Sequence, residues 1–170
     1  MNNKYAIGTV VGAALLGLAK SSLLGSKNDG VAVFSVEELL EYANDPYWSP
    51  LVTRVDLAYK NLTTLPPEIG NLKNLEWLDL AGNQLTTLPP EIGNLKKLEM
   101  LYLLSNELTT LPPEIGMLKN LKEFSLHGNP KFYMNPEQLH QLILNGASKE
   151  IQKAIVEANV IPTISNVRLR

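Results

Sequence analysis

Leu65-Pro66-Pro67-Glu68-Ile69-Gly70 returns as Leu88 to Gly93 and again as Leu111 to Gly116, each copy 23 residues after the last. Identical hexapeptides at constant spacing mean that the chain repeats a structural unit, and a unit this short buries its apolar face only by stacking on its neighbours. The leucines between the hexapeptides keep the same period. Leu75, Leu78, Leu80, Asn83 and Leu85 are followed by Leu98, Leu101, Leu103, Asn106 and Leu108. A third copy, Leu121, Phe124, Leu126 and Asn129, then breaks at Pro130, and a backward projection reaches Val52, Val55, Leu57, Lys60 and Leu62, with lysine in the asparagine position. Degenerate first and last copies mark the ends of the array.

Each position has a physical reason. Alternation at Leu78 and Leu80, or Leu101 and Leu103, has the period of two that turns both side chains to one face of a short strand. Asn83, Asn106 and Asn129 follow the strands at the turn, where a carboxamide bonds backbone groups of its own and a neighbouring coil. The double prolines forbid a regular helix and favour an extended return segment, with a short helical turn at Glu-Ile-Gly. Ile69, Leu72, Leu95 and Leu118 are expected to fill the core from the convex side.

The stretch from Leu51 to Pro130 resembles the leucine-rich repeat family, in the subclass with the pattern L-x-x-L-P-x-x-I-x-x-L-x-x-L-x-x-L-x-L-x-x-N. The resemblance implies an α/β leucine-rich-repeat solenoid, right-handed and curved, with a parallel β-sheet on the concave face, and a role in protein recognition without an enzymatic reaction.

Residues 51–130 thus form the repeats, and open ends need covers. Residues 31–50 are read as an N-terminal helical cap: Ser35 and Glu38 form a capping box, Phe34 and Leu39 a hydrophobic staple, and Tyr47 and Trp48 seal the first coil. Residues 131–170 are read as a C-terminal helical cap and tail, with one helix from Asn135 to Leu144 stopped at Asn145-Gly146 and another from Ser148 to Asn159. Residues 1–30 are a hydrophobic N-terminal segment, expected to be helical and uncharged from Ala6 to Ala19. Three readings fit it: a secretory signal cut before Lys20, a membrane anchor across residues 6–24, or a helix packed in an assembly through Gly8, Gly12 and Gly17.

Fifteen Lys and Arg against 17 Asp and Glu give a net charge of −2, which argues against nucleic acid as a partner. The absence of cysteine removes disulfides, thiolate metal sites and thiol nucleophiles. His127 and His140 share no motif with a carboxylate, no phosphate loop or hydrolase motif occurs, and neither cofactor nor metal is expected. The repeated Glu68, Glu91 and Glu114 and the row Lys73, Lys96 and Lys119 read as solvated convex charges that partly offset each other.

The informative residues are those the repeat leaves free. The outward strand positions are Arg54, Asp56 and Ala58, then Trp77, Asp79 and Ala81, then Met100, Tyr102 and Leu104, then Glu123, Ser125 and His127. Trp77, Met100, Tyr102 and Leu104 form an apolar cluster rimmed by Arg54, Asp56, Asp79 and Glu123, with His127 beyond, and such clusters bind protein or peptide. The expected function is a non-enzymatic recognition or assembly module held at a membrane or in a larger complex, or exported, a cytoplasmic place not being excluded. The rivals are a purely structural subunit that serves as a rigid spacer, and a secreted protein that binds a host or cell-surface partner.

Overall fold

The computed structural model describes residues 31–159. Five short parallel strands, β1 (Val31–Val33), β2 (Val52–Asp56), β3 (Trp77–Asp79), β4 (Met100–Tyr102) and β5 (Glu123–Ser125), lie side by side in chain order. The pairing follows the repeat: Arg54, Trp77, Met100 and Glu123 share one row, and Asp56, Asp79, Tyr102 and Ser125 the next. Inward, Val55, Leu78 and Leu101 are fully buried between these rows, while Phe124 at the end packs on the core half-buried. A leucine fully withdrawn from water is worth roughly 2 kcal/mol, and the stack gathers one such residue per position per coil.

The return segments behave as the prolines dictate. Pro66, Pro89 and Pro112 are extended, and a 3-10 turn follows each, over Pro67–Asn71, Pro90–Asn94 and Pro113–Met117. Ile69, Ile92 and Ile115 point inward from these turns with no exposed surface, as do Leu72, Leu95 and Leu118. Adjacent turns touch so closely that glycine is required: a Cβ on Gly70 would stand 2.7 Å from Glu91 Cβ, and one on Gly93 2.7 Å from the Glu114 carbonyl.

The asparagines hold the other side. Asn106 donates from Nδ2 to the Leu80 carbonyl at 2.9 Å and to its own coil at Leu103 at 3.2 Å, while its Oδ1 accepts the Leu85 N–H at 3.1 Å. Asn129 repeats this on Leu103, Leu126 and Leu108, and Asn83 bonds the carbonyls of Leu57 and Leu80 while accepting from Lys60 and Leu62. Every asparagine reaches back one coil. Lys60 has no repeat coil behind it, and a solvated lysine replaces asparagine there. The residue before each of these four positions turns left-handed: Tyr59, Gly82, Ser105 and Gly128 all have φ between 54 and 76 degrees.

The caps differ in part from expectation. Residues 31–50 contain a strand as well as a helix: β1 adds to the edge of β2, and α1 (Val36–Ala43) follows. Three residues of Val-Ala-Val carry too short a pattern to announce a strand. Ser35 accepts the Glu38 N–H at 3.1 Å, whereas the Glu38 carboxylate accepts the N–H of Phe34 at 3.0 Å, one residue earlier than a standard box. Trp48 is buried against Tyr42, with ring centroids 5.7 Å apart, but Tyr47 is 66% exposed and stands edge-on outside it. Only the tryptophan seals.

At the other end, α2 (Pro136–Leu144) begins with a capping box between Asn135 and Gln138 and stops at Gly146, whose φ is +79. α3 (Lys149–Asn159) follows and buries Ile151, Ala154 and Ile155. Lys119 Nζ ties this cap to the last coil through the carbonyls of Gly116 at 2.8 Å, Asn145 at 2.7 Å and Gly146. Lys73 Nζ likewise bonds Gly70 O at 2.6 Å. These lysines satisfy backbone carbonyls, and the described ion pairs lie elsewhere, at Glu99–Lys122, Glu107–Lys131 and Lys153–Glu157.

Two substitutions test the ladder. Asn106→Ala strands the Leu85 N–H in the core, while the Leu80 and Leu103 carbonyls keep Asn83 and Asn129 as donors, and denaturant unfolding should show a loss of about 2 kcal/mol. Ser105→Gly relieves a left-handed serine, and the same measurement should show a gain of about 1 kcal/mol.

Candidate functional site

The outward side chains of β2 to β5 lie where the register puts them. Arg54, Glu123 and His127 are exposed, and Asp56, Trp77, Asp79, Met100, Tyr102 and Leu104 are half-buried. Ala81, expected to face outward, is buried at 4% exposure, at the turn where Tyr59 N–H reaches its carbonyl. Gly82, beside it, leaves room for the Tyr59 ring: a Cβ there would stand 2.3 Å from it.

Four of these side chains form one chain of contacts across the sheet. The Arg54 guanidinium lies 3.6 Å over the Trp77 ring centroid, a cation–π contact. Trp77 meets Tyr102 edge-to-face, centroids 6.0 Å apart at 70 degrees. The Tyr102 hydroxyl donates to Glu123 Oε2. Met100 occupies the same row as Trp77 and Glu123, between them. The aromatic pair is therefore braced from both sides before any partner arrives, which lowers the ordering cost of binding.

The two aspartates do more than form a rim. Asp56 Oδ1 accepts the Ala58 N–H at 3.3 Å and Asp79 Oδ1 the Ala81 N–H at 2.9 Å, so each closes the turn that leaves its strand. Their charge still faces the sheet. The Tyr102 phenol is held above its ordinary value of 10.0, first by the hydrogen bond to Glu123, then by burial, then by the negative charge of Glu123 and Asp79; a hydrogen bond with the Trp77 side chain opposes this. A raised phenol pKa favours the folded state below its ordinary value, and that contribution is lost as pH rises through the raised one.

Ser125 Oγ and His127 Nδ1 are 3.0 Å apart, and among the described residues no carboxylate is bonded to the ring to orient it as a base catalyst would need. Among the described residues, no three His, Asp or Glu side chains are grouped to hold a metal, and no helix is long and apolar enough to cross a membrane. Gly8, Gly12, Gly17 and the hydrophobic N-terminal helix lie outside the described residues, as does the tail from 160 onward.

The sequence reading missed the wall beside this face. α3 packs on β5, and Glu150, Lys153 and Glu157 line a cleft with Tyr102, Glu123 and Ser125. Their spacing, opposite Ile151, Ala154, Ile155 and Ala158, marks the polar side of the helix. What the spacing does not reveal is that this side borders the open sheet.

Stacked coils of 23 residues, an asparagine ladder and an open concave sheet define a leucine-rich-repeat solenoid. A sequence model described as a leucine-rich repeat region matches residues 54–158, and the chain belongs to the leucine-rich repeat family. Among solved structures, a leucine-rich repeat protein of Leptospira interrogans is 44% identical over 55% of this chain and 24% of its own, with a TM-score of 0.49. InlP of Listeria monocytogenes is 32% identical over 46% of this chain and 22% of its own, TM-score 0.42. The BIR3–SERK2 complex of Arabidopsis thaliana gives 29% identity over 58% and 51%, TM-score 0.46. The chain thus spans about a quarter of the length of the first two and about half of the third. No curated protein matches it.

Replacing Glu123 with Gln should move the Tyr102 titration back toward 10.0. Phenolate absorbance of this variant against the unaltered chain, with Tyr102→Phe as the blank, measures the difference.

Proposed function

We propose that the protein is a non-enzymatic recognition module that binds a protein or peptide on its concave face. The observation that carries this reading is the braced pair Trp77 and Tyr102, half-buried but uncovered on an open sheet. Large aromatics held rigid and left in contact with water are the side chains that dominate binding energy when a partner buries them. Membership of a family whose members serve as binding modules supports it, and the Ser125–His127 pair without a carboxylate gives no competing chemistry.

Size defines the partner. Five strands at about 4.8 Å make a face about 19 Å across, enough for an extended peptide, a strand or one helix. A standard interface of about 20–30 residues a side would also engage the caps.

On the same reading the apolar segment 6–24 holds the module at a membrane or in a larger assembly, or directs its export. Membrane fractionation combined with intact mass reads this directly: full-length chain in the membrane fraction is the expected result for an anchor, and loss of residues 1–19 for an export signal. A soluble full-length chain free of any complex would discard both. The rigid-spacer reading predicts that the aromatic pair is dispensable.

Trp77→Ala should therefore weaken partner binding by about tenfold or more while costing roughly 1 kcal/mol of stability. Partners captured by the unaltered chain and by Trp77→Ala and Tyr102→Ala, compared beside their thermal unfolding, check this. Equal capture by all three chains would leave the spacer.

A further inference from the structure

The concave face is not electrically even. Arg54, its cation at the β2 side, is already spent on the Trp77 ring. Toward β5 and α3 the carboxylates gather: Asp79 beside Tyr102, Glu123 on β5, and Glu150 and Glu157 on α3. Two lysines line the cleft beside three glutamates: Lys122 is engaged from outside it by Glu99 at 2.7 Å. Lys153 is the other, and its contact with Glu157 is long, 3.8 Å, between side chains 76% and 65% exposed. A pair of that length and exposure holds little energy and gives way easily.

The cleft is open to solvent and offers about 310 Å³ beside the Tyr102 ring, the β5 edge and the exposed side of α3. That is at the small end of ligand sites, about 300 to 1,000 Å³, and suits one or two side chains rather than a whole domain. An aromatic ring beside convergent carboxylates is chemistry that accepts a guanidinium or ammonium, through charge-assisted hydrogen bonds and ring stacking together. An anionic side chain would meet repulsion from three glutamates at once.

We infer that the cleft between α3 and the last two strands takes an arginine or lysine side chain of an extended partner peptide whose neighbouring residues lie across Tyr102 and Trp77. This rests on the recognition reading above and specifies its partner's chemistry. Lys153 occupies the cation's place in the free protein and is displaced by the incoming one, whose several bonds outweigh the single long contact.

The test uses the full chain and fluorescein-labelled, acetylated tetra-arginine, with tetra-glutamate as counterpart, followed by fluorescence polarisation at low salt. Tetra-arginine should bind and tetra-glutamate should not. Combined Glu123→Gln and Glu150→Gln should weaken tetra-arginine by about tenfold, and Lys153→Ala should tighten it by about threefold. Combined Glu68→Gln and Glu91→Gln removes the same charge from the convex side and should change binding by less than about twofold. Both glutamates of the first pair are exposed, so the variant should fold, and its thermal unfolding checks this.

Equal weakening by the two pairs would mean general attraction to an acidic protein, and would overturn the assignment. So would no binding of tetra-arginine, or about tenfold tighter binding once Arg168 and Arg170 are both replaced by Ser, which would give the cleft to the chain's own end. In any of these cases a capture that depends on Trp77 would still stand, so the cationic assignment and the recognition reading fail separately.

Discussion

A solenoid of this kind depends on what happens where each strand ends. The chain must turn out of the sheet, and in turning it leaves peptide groups with no ladder partner in a place water does not reach. Three asparagines, 7% exposed or less, meet that demand with bonds to two consecutive coils at once. Aspartate in their place would carry no N–H to donate, and leucine would carry neither donor nor acceptor, so the buried carbonyls would stay unpaired. The regular 23-residue spacing, the in-register sheet and the flat outward rows all follow from keeping that carboxamide directly above its predecessor. The glycines of the 3-10 turns do the equivalent work on the far side, by contact rather than by bonding.

Most of this was readable because it is periodic. Leu78, Leu101 and Asn106 state the same geometry several times over, and agreement between copies removes the ambiguity that a single short apolar run carries. Where repetition stops, legibility falls. Val31–Val33 pairs with β2 although nothing in three residues distinguishes it from a loop, and its place is set by the edge that β2 leaves open. Tyr47 and Trp48 have similar side chains in adjacent positions, yet one is buried and the other projects, a distinction decided by the direction of the chain after α1.

The face shows the same division. Register alone placed Arg54, Trp77, Tyr102 and Glu123 on one side of the sheet, because strand alternation is arithmetic. It did not give their connection. That Arg54 lies on Trp77 and Tyr102 bonds Glu123 depends on rotamers chosen between neighbours on adjacent strands. Asp56 and Asp79 were read as rim charges, and they also serve their own turns, since a carboxylate two residues before a free N–H has a nearer use than a partner. The α3 wall was beyond reach for a different reason: the sequence gives the helix its two sides, while the packing of that helix on β5 decides which neighbour the polar side meets.

The ladder also has a direction. Asn83, Asn106 and Asn129 each bond the coil that precedes them in the chain, so a newly made asparagine finds its acceptors and donors already in place, while N–H groups of its own coil wait for the next one. On the ribosome, where the N-terminal part emerges first, such an array can be laid down in the order of its manufacture, each turn serving as template for the next. The one exposed end during that process is always the newest coil, and it stays open until α2 and α3, the last described elements, arrive to close it.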